Sequence, residues 1–266
     1  MRQAMRGWFE TRVGDILRGQ PDDRPISVLD VGCGGGYSAS ILFESLWDRL
    51  RYVGTDISEA VDVAPEQLSA AGDRAAFLQA DLMHLPLRER SFDLVMAEGV
   101  LHHTPSTREA IRATAAFVKP GGRYSIYVYA KKSPVREFTD DYIRDLLVDL
   151  PSQEAWDKLI PLTKLGRALG ELNVEVDVPE DVELLGIPAG RIDVQRLFYW
   201  HVCKMYHRPD FSLDEMNHVN FDWFTPRYAH RQTPQETEAW VEEAGLRVDR
   251  VHAEEAGQTV QAFRPV

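Results

Sequence analysis

Cysteine is scarce: Cys33 and Cys203 are the only two among 266 residues. Two cysteines cannot build a disulfide framework, and no Cys-x-x-Cys pair offers a metal signature. Both facts fit a reducing compartment. Long apolar runs are also missing. No stretch approaches the roughly 20 residues that a membrane helix needs. The first residues, MRQAMRGWFETRVGDILRG, lack the apolar centre of a signal peptide. A soluble, cytoplasmic protein with no membrane partner is therefore expected. Basic charge is in short supply, with 30 Lys and Arg against 42 Asp and Glu and a net charge of −12. Nucleic-acid readers present a basic face, so DNA and large RNA are disfavoured as substrates. Repeats and low-complexity tracts are absent too. What remains is 44% hydrophobic and 27% charged, the composition of a globular chain with a real core. Wholesale disorder, collagen and coiled coil are excluded.

The apolar pattern alternates between two periods. Met5, Trp8, Phe9, Val13, Ile16 and Leu17 recur at helical spacing, so residues 1–24 read as an N-terminal helix that either packs on the body or forms a lid. ISVLDV (26–31) is a buried strand, followed by a glycine cluster and a helix from about Ser38 to Leu50. RYVGTD (51–56), AAFLQAD (75–81), FDLVMAEG (92–99) and RYSIYVYA (123–130) read as further strands, with helices over 58–71 and 106–118 between them. Lys119-Pro120-Gly121-Gly122 stops the second of these. Strands alternating with helices imply βαβ units and a parallel sheet. The rhythm then breaks until Thr233-Pro234-Gln235-Glu236, a capping box with proline at the first helical position. Two closing strands, 246–253 and 258–266, follow. The expected organisation is one Rossmann-like domain, 25–130 with 233–266, interrupted by a mainly helical insertion over 131–232. Within that insertion 133–150 and 192–206 look helical. ELNVEVDVPEDVEL (171–184), with six acidic residues and no basic one, reads as a solvated loop.

The chemistry concentrates at Asp30-Val31-Gly32-Cys33-Gly34-Gly35-Gly36. A glycine turn between a strand and its helix lets a ligand approach bare backbone, and in open parallel sheets ligands sit at the carboxyl ends of the strands. Asp56 ends the second strand, 20 residues after Gly36, where a carboxylate can accept two ribose hydroxyls. Two cofactor classes use this frame. Gly34-x-Gly36-x-x-Ala39 fits the dinucleotide pattern. Asp30, at the mouth of the strand, would repel a pyrophosphate and attract an ammonium, which favours a cofactor with an amino-acid tail.

These residues resemble the class I S-adenosylmethionine-dependent methyltransferases of the small-molecule kind. Asp30, Gly32, Gly34 and Gly36 match the family's first motif, and Asp56-Ile57 its ribose acid. Asp81-Leu82 matches the third, where the resemblance implies contacts to the adenine amino group and ring. The run from Phe92 to His103 looks like the fourth motif, and Lys119–Arg123 like the turn before strand five. The resemblance covers about 26–130 and 233–266. It implies a seven-stranded, mostly parallel sheet with helices on both faces, and S-adenosyl-L-methionine as cofactor with S-adenosyl-L-homocysteine as product. Asp30, Gly32, Gly34, Gly36, Asp56, Ile57, Asp81, Leu82 and Glu98 are the implied cofactor residues.

Signatures for particular acceptors are missing. Ala97-Glu98-Gly99-Val100 stands where a base- or amide-methylating tetrapeptide would be, and no Pro-Cys pair offers a thiolate. Glu98, His102 and His103 follow strand four and so fall near the transferred methyl. His103 is the candidate general base, since histidine is the side chain whose ordinary pKa lies nearest neutrality. Glu98 and His218 are the candidate orienting groups. The insertion carries Tyr199, Trp200, His201, Asp222, Trp223, Arg227 and Tyr228. Such a mixture of aromatic walls and polar groups suits a small-molecule pocket, so with His102 these are the candidate acceptor residues. No metal is expected. The expected function is methyl transfer to a small molecule enclosed by a helical cap, in a monomer or homodimer. The rivals are methylation of RNA or protein, and a non-methylating cofactor-binding protein.

Overall fold

A computed structural model describes residues 24–266 of the chain; the helix expected over 3–18 lies outside them. The described residues fall into two compact units. One runs to Ala130 and resumes at His230–Val266; the other is Lys131–Ala229.

The first unit holds β1 (Ile26–Val31), α1 (Tyr37–Leu42), β2 (Leu50–Asp56), α2 (Ala64–Gln67), β3 (Ala75–Gln79), β4 (Phe92–Glu98), α3 (Thr107–Ala115) and β5 (Val118–Tyr129). Its strands form a seven-stranded sheet in the order β3-β2-β1-β4-β5-β9-β8, completed by the two last strands, β8 (Arg247–Ala253) and β9 (Gly257–Phe263). The pairs among β1 to β5 are parallel. β9 runs antiparallel to both β5 and β8. Strand order reverses between β1 and β4, which opens the crevice where such sheets hold ligands.

Period-two alternation splits the strands between two cores. Leu29, Val31, Val95, Ala97, Ile126, Val128 and Val260 face Ala110 and Ile111 of α3 and Val241. Val28, Tyr52, Leu94 and Met96 face Ala39, Phe43, Trp47 and Leu68 on the other side. Each fully buried aliphatic side chain contributes about 1.5–3 kcal/mol, so this double core is what holds the strand ends rigid.

Two helices are shorter than the periodicity suggests. The one expected over 38–50 ends at Leu42, and a 3-10 turn, Trp47–Arg49, replaces its second half. α1 has no side-chain cap and no acid in its first turn. Phe43 and Trp47 instead turn inward, with ring centroids 5.9 and 5.7 Å from Tyr52. The helix expected over 58–71 is three short pieces, because Pro65 restarts the chain at the first turn of α2 and Gly72 takes φ 53. The capping box does form: Thr233 and Glu236 cap α8 (Pro234–Glu243) reciprocally, and Gly245 at φ 78 follows its end.

The second unit contains α4 (Pro134–Leu147), α5 (Ser152–Glu171), β6 (Glu175–Val178), β7 (Gly190–Asp193), α6 (Val194–His201) and α7 (Leu213–Phe224). α5, α7 and the β6–β7 ribbon have no counterpart in the sequence pattern read above. The acidic stretch is therefore not all loop. Glu175 and Asp177 lie on an antiparallel ribbon, where Arg191 of β7 pairs with Glu175 at 2.5 Å. Polar networks order the interior: Thr163 bonds Asn217 and Asn220, and Asp140 accepts from Arg136, Trp223 and the Lys204 amide.

Candidate active site

The turn after β1 is built on three left-handed glycines: Gly32, Gly34 and Gly36 take φ 73, 51 and 81. A Cβ at Gly32 would lie 2.3 Å from Val100, so only glycine fits. The Gly32 and Cys33 amides donate to the Thr55 carbonyl at 2.6 and 2.9 Å. The Gly34 amide donates to Asp56 Oδ2 at 2.8 Å, while the Ser58 amide and hydroxyl occupy Oδ1. The loop and the end of β2 thus hold each other in place. A Cβ at Gly34 or at Gly99 would meet nothing within 4 Å. The backbone faces open space at both points, as a cradle for a ligand requires.

Asp30 lies beneath this loop, 4% exposed, and accepts a 2.6 Å bond from the Tyr52 hydroxyl. Burial, and then the Glu98 and Asp56 carboxylates, push it up to about 7 against the lowering bond from Tyr52. Burial also raises Tyr52, aided by Asp30 and Cys33.

Glu98 ends β4, half-buried, and Gly99 follows at φ 79. His102 and His103 lie on the 3-10 turn Leu101–His103. His102 is fully buried, its ring centroid 3.7 Å from Tyr129, and its carbonyl accepts from the His230 amide at 3.0 Å. His103 is half-buried and edge-on to Tyr129 at 5.4 Å. Asp81, exposed at the end of β3, accepts from the Met83 amide, and Leu82 opens the adjoining 3-10 turn. Ile57 is 71% exposed.

The fold therefore gathers Asp30, Gly32, Gly34, Gly36, Asp56, Glu98, His102 and His103 at the carboxyl ends of adjacent strands, with Asp81 and Leu82 beyond β2. The residues of the second unit are more scattered. Trp223 was expected as a pocket wall but is 5% exposed, and its indole donates to Asp140. It belongs to its own unit's core, because Asp140 needs that donor to be satisfied in the interior. His218 is exposed beside Trp156, Asp222 and Tyr228 are exposed, and Arg227 pairs with Asp149 at 2.7 Å. Tyr199 and Trp200 meet edge-on at 4.7 Å, with Arg136 and Arg196 against the Tyr199 ring. The His201 carbonyl accepts from Ser133. Among the described residues no group of three His, Cys, Asp or Glu side chains could hold a metal ion. No described helix is long and apolar enough to cross a membrane.

Four contributors escape the motif reading: Tyr52, Ser58, Tyr127 and Tyr129. The alternation in RYSIYVYA does put Tyr127 and Tyr129 on one face, toward the strand's ligand end. Gly257 of β9 makes room for Tyr127, since a Cβ there would lie 2.3 Å from its ring.

Residues 29–126 match the family described as methyltransferase domain. Over 120 residues the chain is 37% identical to 27-O-demethylrifamycin SV methyltransferase of Amycolatopsis mediterranei, covering 44% of this chain and 43% of that one. Over 102 residues it is 36% identical to methyltransferase GfsG of Streptomyces halstedii, covering 37% and 36%. The match spans less than half the length of either relative. A solved structure of Burkholderia thailandensis 1,6-didemethyltoxoflavin-N1-methyltransferase, with bound 1,6-didemethyltoxoflavin and S-adenosylhomocysteine, shares the fold. Its TM-score is 0.53 at 15% identity, covering 99% of this chain and 79% of that one. Residues 29–126 are thus similar to a methyltransferase domain, on a fold shared with a solved methyltransferase.

Proposed function

We propose that this chain transfers a methyl group from S-adenosylmethionine to a small-molecule acceptor. The observation that carries the reading is the meeting of three carboxylates, Asp30, Asp56 and Glu98, around open glycine backbone. An anionic, backbone-lined cradle suits a cofactor with an ammonium tail and a ribose, and disfavours a pyrophosphate. Asp56 would accept the ribose hydroxyls on lone pairs that Gly34 and Ser58 leave over, since each carboxylate oxygen accepts twice. Asp30 would receive the ammonium, and Asp81 with the Leu82 amide the adenine. When bound, the cofactor supplies a methyl group already activated by a sulfonium.

What is left for the protein is alignment, which alone can remove about 7–11 kcal/mol of barrier, and a base where the acceptor must lose a proton. His103 is assigned that role: its ring is held edge-on by Tyr129 and remains half-buried rather than sealed. Glu98 orients the acceptor. His102 is fully buried and so supports the ring beside it instead of touching substrate. Acceptor selection is assigned to the second unit, with Tyr199, Trp200 and His201 ahead of the exposed His218, Asp222, Arg227 and Tyr228. The chain leaves the first unit after Ala130 and re-enters it at His230. A polymer acceptor would need a basic groove, which a net charge of −12 opposes.

The test is formation of S-adenosylhomocysteine when the protein meets hydroxylated and amine-bearing small molecules, a peptide mixture and tRNA. Turnover is expected with small molecules alone. His103→Ala should lower it by about 10²-fold or more and leave cofactor affinity nearly intact. Turnover that requires the tRNA or peptides would overturn the small-molecule reading, and a fully active His103→Ala would remove that base.

A further inference from the structure

Tyr52 has a hydroxyl that its surroundings do not call for. Its ring is packed by Phe43, Trp47 and Phe77, with centroids 5.9, 5.7 and 6.0 Å away, and the residue is 1% exposed. Phenylalanine would fill such a core equally well. The hydroxyl instead donates to Asp30 Oδ2 at 2.6 Å. Strand register makes this reach feasible. Val28 lies opposite Tyr52 and Asp30 opposite Gly54, so the two functional side chains are diagonal neighbours on one face. Gly54 keeps the space between them clear: a Cβ there would come within 3.0 Å of the Tyr52 ring and 2.8 Å of Cys33 Sγ.

The groups that bear on Asp30 come from two strands and the loop. They are the Tyr52 hydroxyl and Asp56 from β2, Glu98 from β4, and the Cys33 thiol, which burial keeps protonated. None of them is a cation. Burial first, and then the two carboxylates, push Asp30 toward its neutral form, and among the described residues only Tyr52 opposes them. Tyr52 is itself raised well above its ordinary value and stays a donor throughout.

We propose that Tyr52 is a positioning residue of the cofactor site: its hydroxyl favours the ionised form of Asp30 and aims that carboxylate for the cofactor's ammonium, and where Asp30 is protonated, binding displaces its proton to solvent. This rests on the reading of the cradle as a cofactor site. The Tyr52 proton does not move; the one proton lost is that of Asp30, and one ammonium–carboxylate contact is gained.

The experiment is calorimetric binding of S-adenosylhomocysteine, which carries the same amino-acid tail, from about pH 6 to about pH 9 with wild type, Tyr52→Phe and Asp30→Asn. Titration of the ligand's own amine is common to all three and cancels in the ratios. Wild-type affinity should rise with pH up to about 7. Loss of one bond to the charged form should move that midpoint up by about one unit in Tyr52→Phe. That variant should then bind about tenfold more weakly at pH 6 and within about twofold of wild type at pH 9. Asp30→Asn should bind weakly and without the rise. A Tyr52→Phe that matches wild type at every pH, or is weaker by one constant factor throughout, would overturn the proposal. So would an Asp30→Asn that keeps the wild-type profile, which guards against a Tyr52→Phe that fails to fold. Wild type that binds no S-adenosylhomocysteine at any pH would instead bring down the cofactor reading itself, and Tyr52's role with it.

Discussion

Asp30 and Asp93 are buried aspartates on neighbouring strands, one near the carboxyl end of β1 and the other at the amino end of β4. Asp93, 1% exposed, is completed by the protein. Arg24 donates to both its oxygens at 2.9 and 2.7 Å, Ser27 donates through its amide and hydroxyl, and Lys119 pairs with it. Burial alone would raise this carboxyl, but those donors outweigh it and hold it well below the usual carboxylate range. Among the described residues Asp30 has a single donor, Tyr52, and two carboxylates for neighbours. The same residue type in the same sheet is thus a structural tie at one end and an unfinished electrostatic site at the other. The unfinished one lies at the end where parallel sheets bind ligands.

The sharpest way to break this comparison is Asp93→Asn. Removing one member of a buried charged cluster typically costs about 3–5 kcal/mol, so the denaturant midpoint should fall steeply while the folded fraction still binds S-adenosylhomocysteine. A loss of affinity as large as the loss of stability would show that the two aspartates do the same job. Asp56→Ala should act on binding, costing about 2–3 kcal/mol of cofactor affinity if two ribose hydroxyls are accepted, with a smaller fall in melting than Asp93→Asn from the Gly34 and Ser58 bonds it gives up. Calorimetry reads that difference directly.

Asp30→Asn sharpens the contrast further. At pH 8 it should raise the stability of the ligand-free protein by about 1–2 kcal/mol, because an uncompensated buried charge disappears. A destabilised variant would mean that Asp30 is structural after all. The smallest effect is in the pH profile of ligand-free stability. The Asp30 value lies at about 7 in the folded protein against 3.8 ordinarily, so its contribution is fully present below about pH 4 and is lost as pH rises through about 7. The Asp93 value is depressed, so its contribution is present above about pH 4 and is lost as pH falls through the folded value. Thermal melts should show both arms, and Asp30→Asn should remove only the neutral one.

Much of the first unit is readable without coordinates, for reasons tied to single residues. Gly32 is forced by a left-handed turn against Val100, and Thr233 with Glu236 writes a helix start into four residues. Asp56 stands at a spacing set by the length of one βα unit. The second unit is less readable. Its order rests on Asp140, Arg136, Trp223, Thr163 and Asn217, polar residues whose partners are 54 to 83 positions away or on a neighbouring turn. Trp223 looked like a ligand wall because an aromatic in a polar stretch carries no mark of which neighbour it will meet.

The amino-acid sequence by itself determined the alternating strands and helices, the glycine cradle and the acids at the ends of the first three strands. All of these follow from local periodicity, backbone sterics and spacing along one chain. Only the tertiary structure decided that Tyr52 would reach Asp30 across the gap left by Gly54. It also decided that His102 would be sealed while His103 stayed accessible, and that Asp93 would be satisfied where Asp30 was not. Those outcomes depend on strand register and on which charges converge in a low-dielectric interior, and neither is encoded by residues adjacent in sequence.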